Sequence, residues 1–185
     1  MKRILSLLVC LVLLAGCGSG KDGMDRAMAL RSRLLGSGAS FDAGITADYG
    51  DRTYTFGMAC TLDSRGNLEF TVTQPELIAG ITGALSADGG KLTFDGKALA
   101  FNLLADGQVS PISGPWILMH TLRSGYLTSC GWEEGRLRLA IDDSYEEDAL
   151  HLDIWLDETD CPVRGEILWQ GRRILSVAVE NFQFL

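Results

Sequence analysis

From Phe41 onward, apolar and polar residues alternate with a period of two. Tyr54, Phe56, Met58, Cys60 and Leu62 alternate with Thr53, Thr55, Gly57, Ala59 and Thr61, and Leu68, Phe70 and Val72 alternate with Asn67, Glu69, Thr71 and Thr73. Successive side chains of a strand point to opposite faces, so the pattern predicts strands with one greasy face. Between the two runs, Asp63-Ser64-Arg65-Gly66 has the composition of a hairpin turn. The alternation returns near the C-terminus. Leu137, Leu139 and Ile141 oppose Arg136 and Arg138, and Leu150, Leu152, Ile154 and Leu156 oppose His151, Asp153 and Asp157. In the last segment Leu175, Val177 and Val179 hold odd positions, while Phe182 and Phe184 hold even ones. A β-bulge near Glu180-Asn181 would return both phenylalanines to the core.

Two stretches follow a helical period instead. Met24, Ala27, Met28, Leu34 and Leu35 recur at three- and four-residue spacing with Asp25, Arg26, Arg31 and Arg33 between them, which predicts an amphipathic helix over 24–35 ended by Gly36-Ser37-Gly38. Residues 113–123, opened by Ser113 as a cap and an early Pro115, predict a second, short helix that stops at Gly125. Turn signals at Asp88-Gly89-Gly90, Asp95-Gly96-Lys97, Asp106-Gly107-Gln108 and Glu133-Glu134-Gly135 suit an antiparallel meander rather than a parallel sheet.

The N-terminus has a different character. Lys2 and Arg3 precede an apolar run from Ile4 to Ala15, the layout of a secretory signal. As a helix this run reaches only about 18 Å, short of a hydrocarbon core of about 30 Å. Its end, Leu14-Ala15-Gly16-Cys17, resembles the lipobox of bacterial lipoproteins. The resemblance implies that residues 1–16 are a removed signal peptide, that Cys17 carries a diacylglyceryl thioether, and that a further acyl chain caps the new amino terminus. Two or three chains hold stably where one is marginal. Residues 17–23, with Gly18-Ser19-Gly20-Lys21-Asp22-Gly23 after the cysteine, read as a flexible tether. Residues 24–185 read as a single domain on the extracytoplasmic face of the membrane.

Charge narrows the partners. The full chain carries −8, and removal of Lys2 and Arg3 leaves 14 basic against 24 acidic side chains. A nucleic-acid partner is disfavoured, since phosphate binding needs the opposite sign. Beyond Cys10 and Cys17 the cysteines are Cys60, Cys130 and Cys161, an odd set without CxxC spacing, which argues against zinc. A disulfide between Cys130 and Cys161 is permitted by the compartment, and three idle thiols are the alternative.

A sheet with one apolar face must close, stack on a second sheet, or curl around helices. A one-faced sheet with two helices behind a lipobox resembles the LolA/LolB superfamily. So does Leu68-Glu69-Phe70-Thr71-Val72-Thr73-Gln74-Pro75 followed by Lys91-Leu92-Thr93-Phe94-Asp95-Gly96-Lys97-Ala98-Leu99, a strand, a proline, and a strand entering Asp-Gly-Lys. The resemblance runs over residues 24–185 as an order of elements. It implies a mainly β fold, a strongly curved antiparallel sheet of about ten strands forming an incomplete barrel, with the N-terminal and mid-chain helices covering its concave face. It also implies a lipid or other hydrophobic ligand in the half-barrel, for which Phe56, Met58, Phe70, Trp116 and Met119 are the candidate cavity residues. Small lipoproteins of spore-forming Clostridia of the GerS type are also similar, and imply instead a protein partner in the envelope, a peptidoglycan amidase.

Catalytic patterns are missing. His120 and His151 are the only histidines, and there is no GxSxG elbow, HExxH or Walker loop. His120 reads as a packed or surface helical residue and His151 as a solvated one on a strand's polar face. The run Asp142-Asp143-Ser144-Tyr145-Glu146-Glu147-Asp148 lacks the order of a calcium loop and reads as a solvated turn. The expected protein is therefore not an enzyme and needs no metal or cofactor. Trp155 shares a strand face with His151, Asp153 and Asp157, which predicts an exposed aromatic suited to a partner, the alternative being a twisted strand whose ring a neighbouring loop covers.

Overall fold

The structure, a computed structural model, describes residues 19–101, 104–105 and 108–185. The signal segment and Cys17 lie outside the described residues. Helix α1 (Ser19–Gly36) leads into strands β1 (Ala39–Asp48), β2 (Thr53–Leu62), β3 (Leu68–Gln74), β4 (Thr82–Ser86), β5 (Gly89–Phe94) and β6 (Lys97–Phe101). A small ribbon, β7 (Leu104–Ala105) and β8 (Gln108–Val109), and a 3-10 turn at Pro111–Ser113 precede helix α2 (Gly114–Ser124). Strands β9 (Tyr126–Glu133), β10 (Arg136–Asp142), β11 (Leu150–Leu156), β12 (Pro162–Trp169) and β13 (Arg172–Phe184) complete the chain.

The two meanders fuse because β1 pairs antiparallel with β13. The result is one 11-stranded sheet in the order β6-β5-β4-β3-β2-β1-β13-β12-β11-β10-β9. Its end strands β6 and β9 are edges, so the barrel stays open, as the half-barrel resemblance implies. Among the described residues five strand pairings contain a register shift. Each shift is a bulge that raises the local twist, which is how so wide a sheet curls instead of lying flat. Glycines help: Gly83 lies opposite Phe70 and Gly90 opposite Phe101, and a Cβ at either would fall within 2.4 Å or 2.3 Å of the facing ring. The absent side chain lets each ring lie across the neighbouring strand.

The predicted bulge is present. Ser40 pairs with Gln183 and Asp42 with Glu180, leaving Phe41 opposite both Asn181 and Phe182. Asn181 takes up the extra residue with a φ of 53°, and its side chain donates to Asp42 Oδ2 at 2.7 Å. The parity flip turns Phe182 and Phe184 back toward the core, where Phe182 stacks with Phe41 at 6.0 Å. The hairpin turn at Asp63–Gly66 is also as predicted, with the Asp63 carboxylate accepting from the N–H groups of Arg65 and Asn67.

Both helices lie on the apolar face, and each departs from the sequence expectation at its start. Helix α1 begins at Ser19, so residues 19–23, read as tether, are helical. Glycines disfavour a helix locally, but Gly23 is buried, and a Cβ there would lie 3.0 Å from Leu137 Cδ1 and 3.1 Å from Cys130 Sγ. The missing side chain lets the start of the helix press closely on the sheet. At α2, Ser113 makes no side-chain capping bond, because the 3-10 turn runs directly into the helix and buries its hydroxyl.

The helices grip each other and one turn of the sheet. Arg31 of α1 donates to the Leu122 and Gly125 carbonyls at 2.8 and 2.7 Å, while Arg123 of α2 donates to Leu34, Asp63 and Ser64 carbonyls at 3.0, 3.1 and 2.8 Å. Trp116 Nε1 donates to the Gly66 carbonyl at 2.9 Å. The hairpin turn of β2 and β3 is thereby tied to α2.

Candidate functional site

Of the residues expected to line a ligand cavity, Met58, Phe70, Trp116 and Met119 are buried in the continuous core, and Phe56 packs against it half-buried. The half-barrel is filled by its own side chains and by Ala27, Leu30 and Leu34 of α1. These five residues are interior packing in this closed arrangement and do not line the open apolar cavity.

That cavity lies at the end of the half-barrel, between the β1–β2 turn, the β12–β13 hairpin and Val109. It holds about 340 Å³, and Tyr49, Val109, Trp169, Ile174 and Leu175 form its apolar wall. A bulge makes it possible: Ile167 pairs with Leu175 and Leu168 with Arg173, so Ile174 is the extra residue and joins its neighbour Leu175 at the cavity. Gly114, the first residue of α2, sits behind the wall, where a Cβ would lie 3.5 Å from Leu175 Cδ1 and 3.4 Å from Val177 Cγ2. The rim is polar. Arg172 stands 3.8 Å from Asp48, and the Asp48 carboxylate also accepts from Gly50 N–H at 2.7 Å. Tyr49 meets Tyr54 edge-on at 5.9 Å, and burial, with Tyr54 beside it, raises the Tyr49 phenol above its ordinary pKa.

None of these wall residues was singled out from sequence, although the adjacent apolar pair Ile174-Leu175 in an alternating strand is itself a bulge signal. The volume falls at the small end of ligand pockets, roughly 300–1,000 Å³. A larger depression, about 720 Å³, lies on the opposite face of the sheet among Asp42, Thr61, Glu69, Thr71, Thr82 and Lys91. It is wider and more open, and its lining is mixed, with Phe41, Cys60 and Phe70 beside the polar residues.

Trp155 is on the outer face, as its parity predicts, but it is not an exposed docking residue. It is only 9% exposed. The guanidinium of Arg164 covers its ring at 4.6 Å and that of Arg138 lies at 5.9 Å, while its Nε1 donates to Glu133 Oε2 at 3.1 Å. Both arginines come from neighbouring strands, and both are held by carboxylates, Arg138 by Asp153 at 2.7 Å and Arg164 by Glu166. Pairing with Asp153 raises the Arg138 pKa further.

The remaining polar residues have structural settings. His120 stacks on Trp116 at 4.5 Å, and burial, helped by Arg123, lowers its pKa. His151 Nδ1 is 2.6 Å from Asp142 Oδ1 across the β10–β11 pair. The acidic run 142–148 forms the loop between these strands, and among the described residues no cluster of potential metal ligands occurs. Among the same residues Cys60, Cys130 and Cys161 form no disulfide. Cys60 is buried, and desolvation, with the nearby Asp42 charge, pushes its thiol up to about 12. No described helix is long and apolar enough to cross a membrane.

No family model and no curated protein matches this sequence. Solved structures do match. A DUF1329 family protein of Desulfovibrio piger superposes with a TM-score of 0.50 at 11% identity, over 90% of this chain and 93% of that one. A LolA superfamily protein of Nitrosomonas europaea matches at 0.44 and 6% identity, over 90% and 94% of the two chains. LprF of Mycobacterium bovis matches at 0.44 and 9% identity, over 89% and 95%. At such identities the likeness concerns the fold alone.

Proposed function

We propose that this protein is an acyl-anchored lipoprotein of the cell envelope that holds an apolar chain, of the kind found in lipids, at the end of its half-barrel. The observation that carries the reading is the 340 Å³ cavity, whose apolar wall is continuous with the core through Val109 and Leu175. A chain entering there exchanges cavity surface for contact with Tyr49, Trp169 and Ile174, at about 25 cal/mol per Å² of apolar area removed from water. Arg172 and Asp48 leave a polar end of the ligand at the solvent.

A long chain needs more room than the resting cavity gives. The lid supplies it if the start of α2 moves away from Leu175 and Val177. The buried hydroxyls of Ser113 and Thr121 have no hydrogen-bond partner among the described residues. Buried unpaired groups cost roughly 1–3 kcal/mol each, so the closed lid is held less tightly than its apolar packing alone implies.

A second reading is favoured by β6. This edge strand has Lys97, Ala98, Leu99 and Ala100 all exposed, and its free side offers a ladder that a strand of another envelope protein could extend. One purification tests both readings. Protein extracted in mild detergent is analysed by native mass spectrometry for copurifying lipid and for stoichiometric protein. Bound lipid supports the first reading, a stoichiometric protein with no lipid supports the second, and the N-terminal peptide mass reports whether Cys17 is acylated.

A further inference from the structure

Helix α1 presents two apolar stripes. Gly23, Ala27, Leu30 and Leu34 are buried against the domain, whereas Met24, Met28 and Leu35 are 39%, 52% and 54% exposed. At 3.6 residues per turn the three exposed side chains fall within about 40° of one another, roughly a third of a turn from the buried face. By register Asp22 and Asp25 lie outside this second stripe. The helix as a whole carries four basic and two acidic side chains, opposite in sign to the net charge of the chain, −8.

We infer that the Met24–Met28–Leu35 stripe rests on the bilayer that holds the acylated Cys17, so that the domain lies flush on the membrane with α1 in the interface. The inference rests on the lipoprotein reading above. The occupant follows from chain length. One residue, Gly18, separates Cys17 from the start of the helix at Ser19, and two Cα steps span at most about 7.6 Å. A headgroup layer is roughly 5–7 Å deep on each side of the hydrocarbon. An anchor inserted in the acyl region therefore leaves the first turn of α1 no room to stand off in water. A helix whose solvent-facing side is an apolar stripe lies in that interface with the stripe turned down. Other exposed apolar side chains among the described residues, such as Leu77, Phe94 and Leu99 on the β3–β4 loop and the β5–β6 hairpin, have no such tie to the anchor.

The test uses the full acylated protein in phosphatidylcholine–phosphatidylglycerol vesicles that contain a diazirine-bearing phospholipid. After photolysis and digestion, crosslinks are expected to concentrate on Met24, Met28 and Leu35. Replacing the three together, Met24→Gln, Met28→Gln and Leu35→Gln, lowers crosslinking of α1 several-fold with an unchanged circular dichroism spectrum. Ala29→Gln, on the remaining exposed face, leaves it unchanged. Crosslinks that map to Leu77, Phe94 and Leu99, or spread evenly, overturn the flush seating alone. An unmodified Cys17 in the N-terminal peptide overturns both this inference and the lipoprotein reading.

Discussion

Arg31 and Arg123 cap each other's helices. Arg31 of α1 closes on the carbonyls of Leu122, in the last turn of α2, and of Gly125 just beyond it, and Arg123 of α2 reaches back to Leu34 near the end of α1 and on to the turn at Asp63 and Ser64. Helix C-termini leave carbonyls unpaired and carry negative partial charge, so a guanidinium satisfies both needs at once. Burial lowers the pKa of both arginines, and for Arg123 the charge of Asp63 works against that shift. The two helices thus form one lid unit.

Removing either clasp should weaken the fold without emptying the core. Arg31→Ala and Arg123→Ala are each expected to cost roughly 1–2 kcal/mol in urea unfolding. The double variant should cost less than the sum, because both losses release the same helix pair. Lysine should not restore either, since one ammonium cannot span the separate carbonyls that a guanidinium fork reaches.

Thr121 gives the opposite sign. Its hydroxyl is buried under the lid without a partner among the described residues. Thr121→Val keeps the shape and removes the polar group, and is expected to raise stability by about 1 kcal/mol. A fall in the urea midpoint would show that the hydroxyl is satisfied.

The alternation of apolar and polar residues made the strands legible, and the odd-to-even switch between Val179 and Phe182 made the bulge legible, because both are local consequences of a period of two. What escaped was non-local. Gly20 and Gly23 read as tether because the tight contact of Gly23 with Cys130 of β9 and Leu137 of β10 is formed by strands more than a hundred residues away. The parity of Trp155 was right, but the arginines that cover it come from β10 and β12. The cavity wall joins residues 49, 109, 169 and 174, which only the β1–β13 pairing and its neighbours bring together.

His120 should make stability depend on pH. Folding lowers its pKa below 6.5, mainly through burial, so the unfolded chain binds more protons in the window just below that value. Stability from this group is therefore expected to rise with pH through that window and level off above it. His120→Gln should flatten the rise, measured as the difference in urea midpoint between about pH 5 and pH 7.5. An unchanged slope in the variant would assign the dependence elsewhere.

Cys60 is expected to be silent toward thiol reagents in the folded protein, because its thiol titrates at about 12 and lies within the core. At mildly alkaline pH, mass mapping after brief alkylation should leave Cys60 unmodified, and unfolding in urea should expose it. Rapid modification of native protein would mean that the half-barrel opens far more readily than its packing implies.

The most direct measurement of the central claim is binding of a fluorescent fatty acid to the folded protein and to Ile174→Trp. Ile174 is a half-buried bulge residue at the cavity, so the larger ring fills the space while the sheet pairing is kept. Saturable binding to the unaltered protein, weakened at least tenfold by Ile174→Trp, is the expected result; no saturable binding, or equal binding by both proteins, would contradict it.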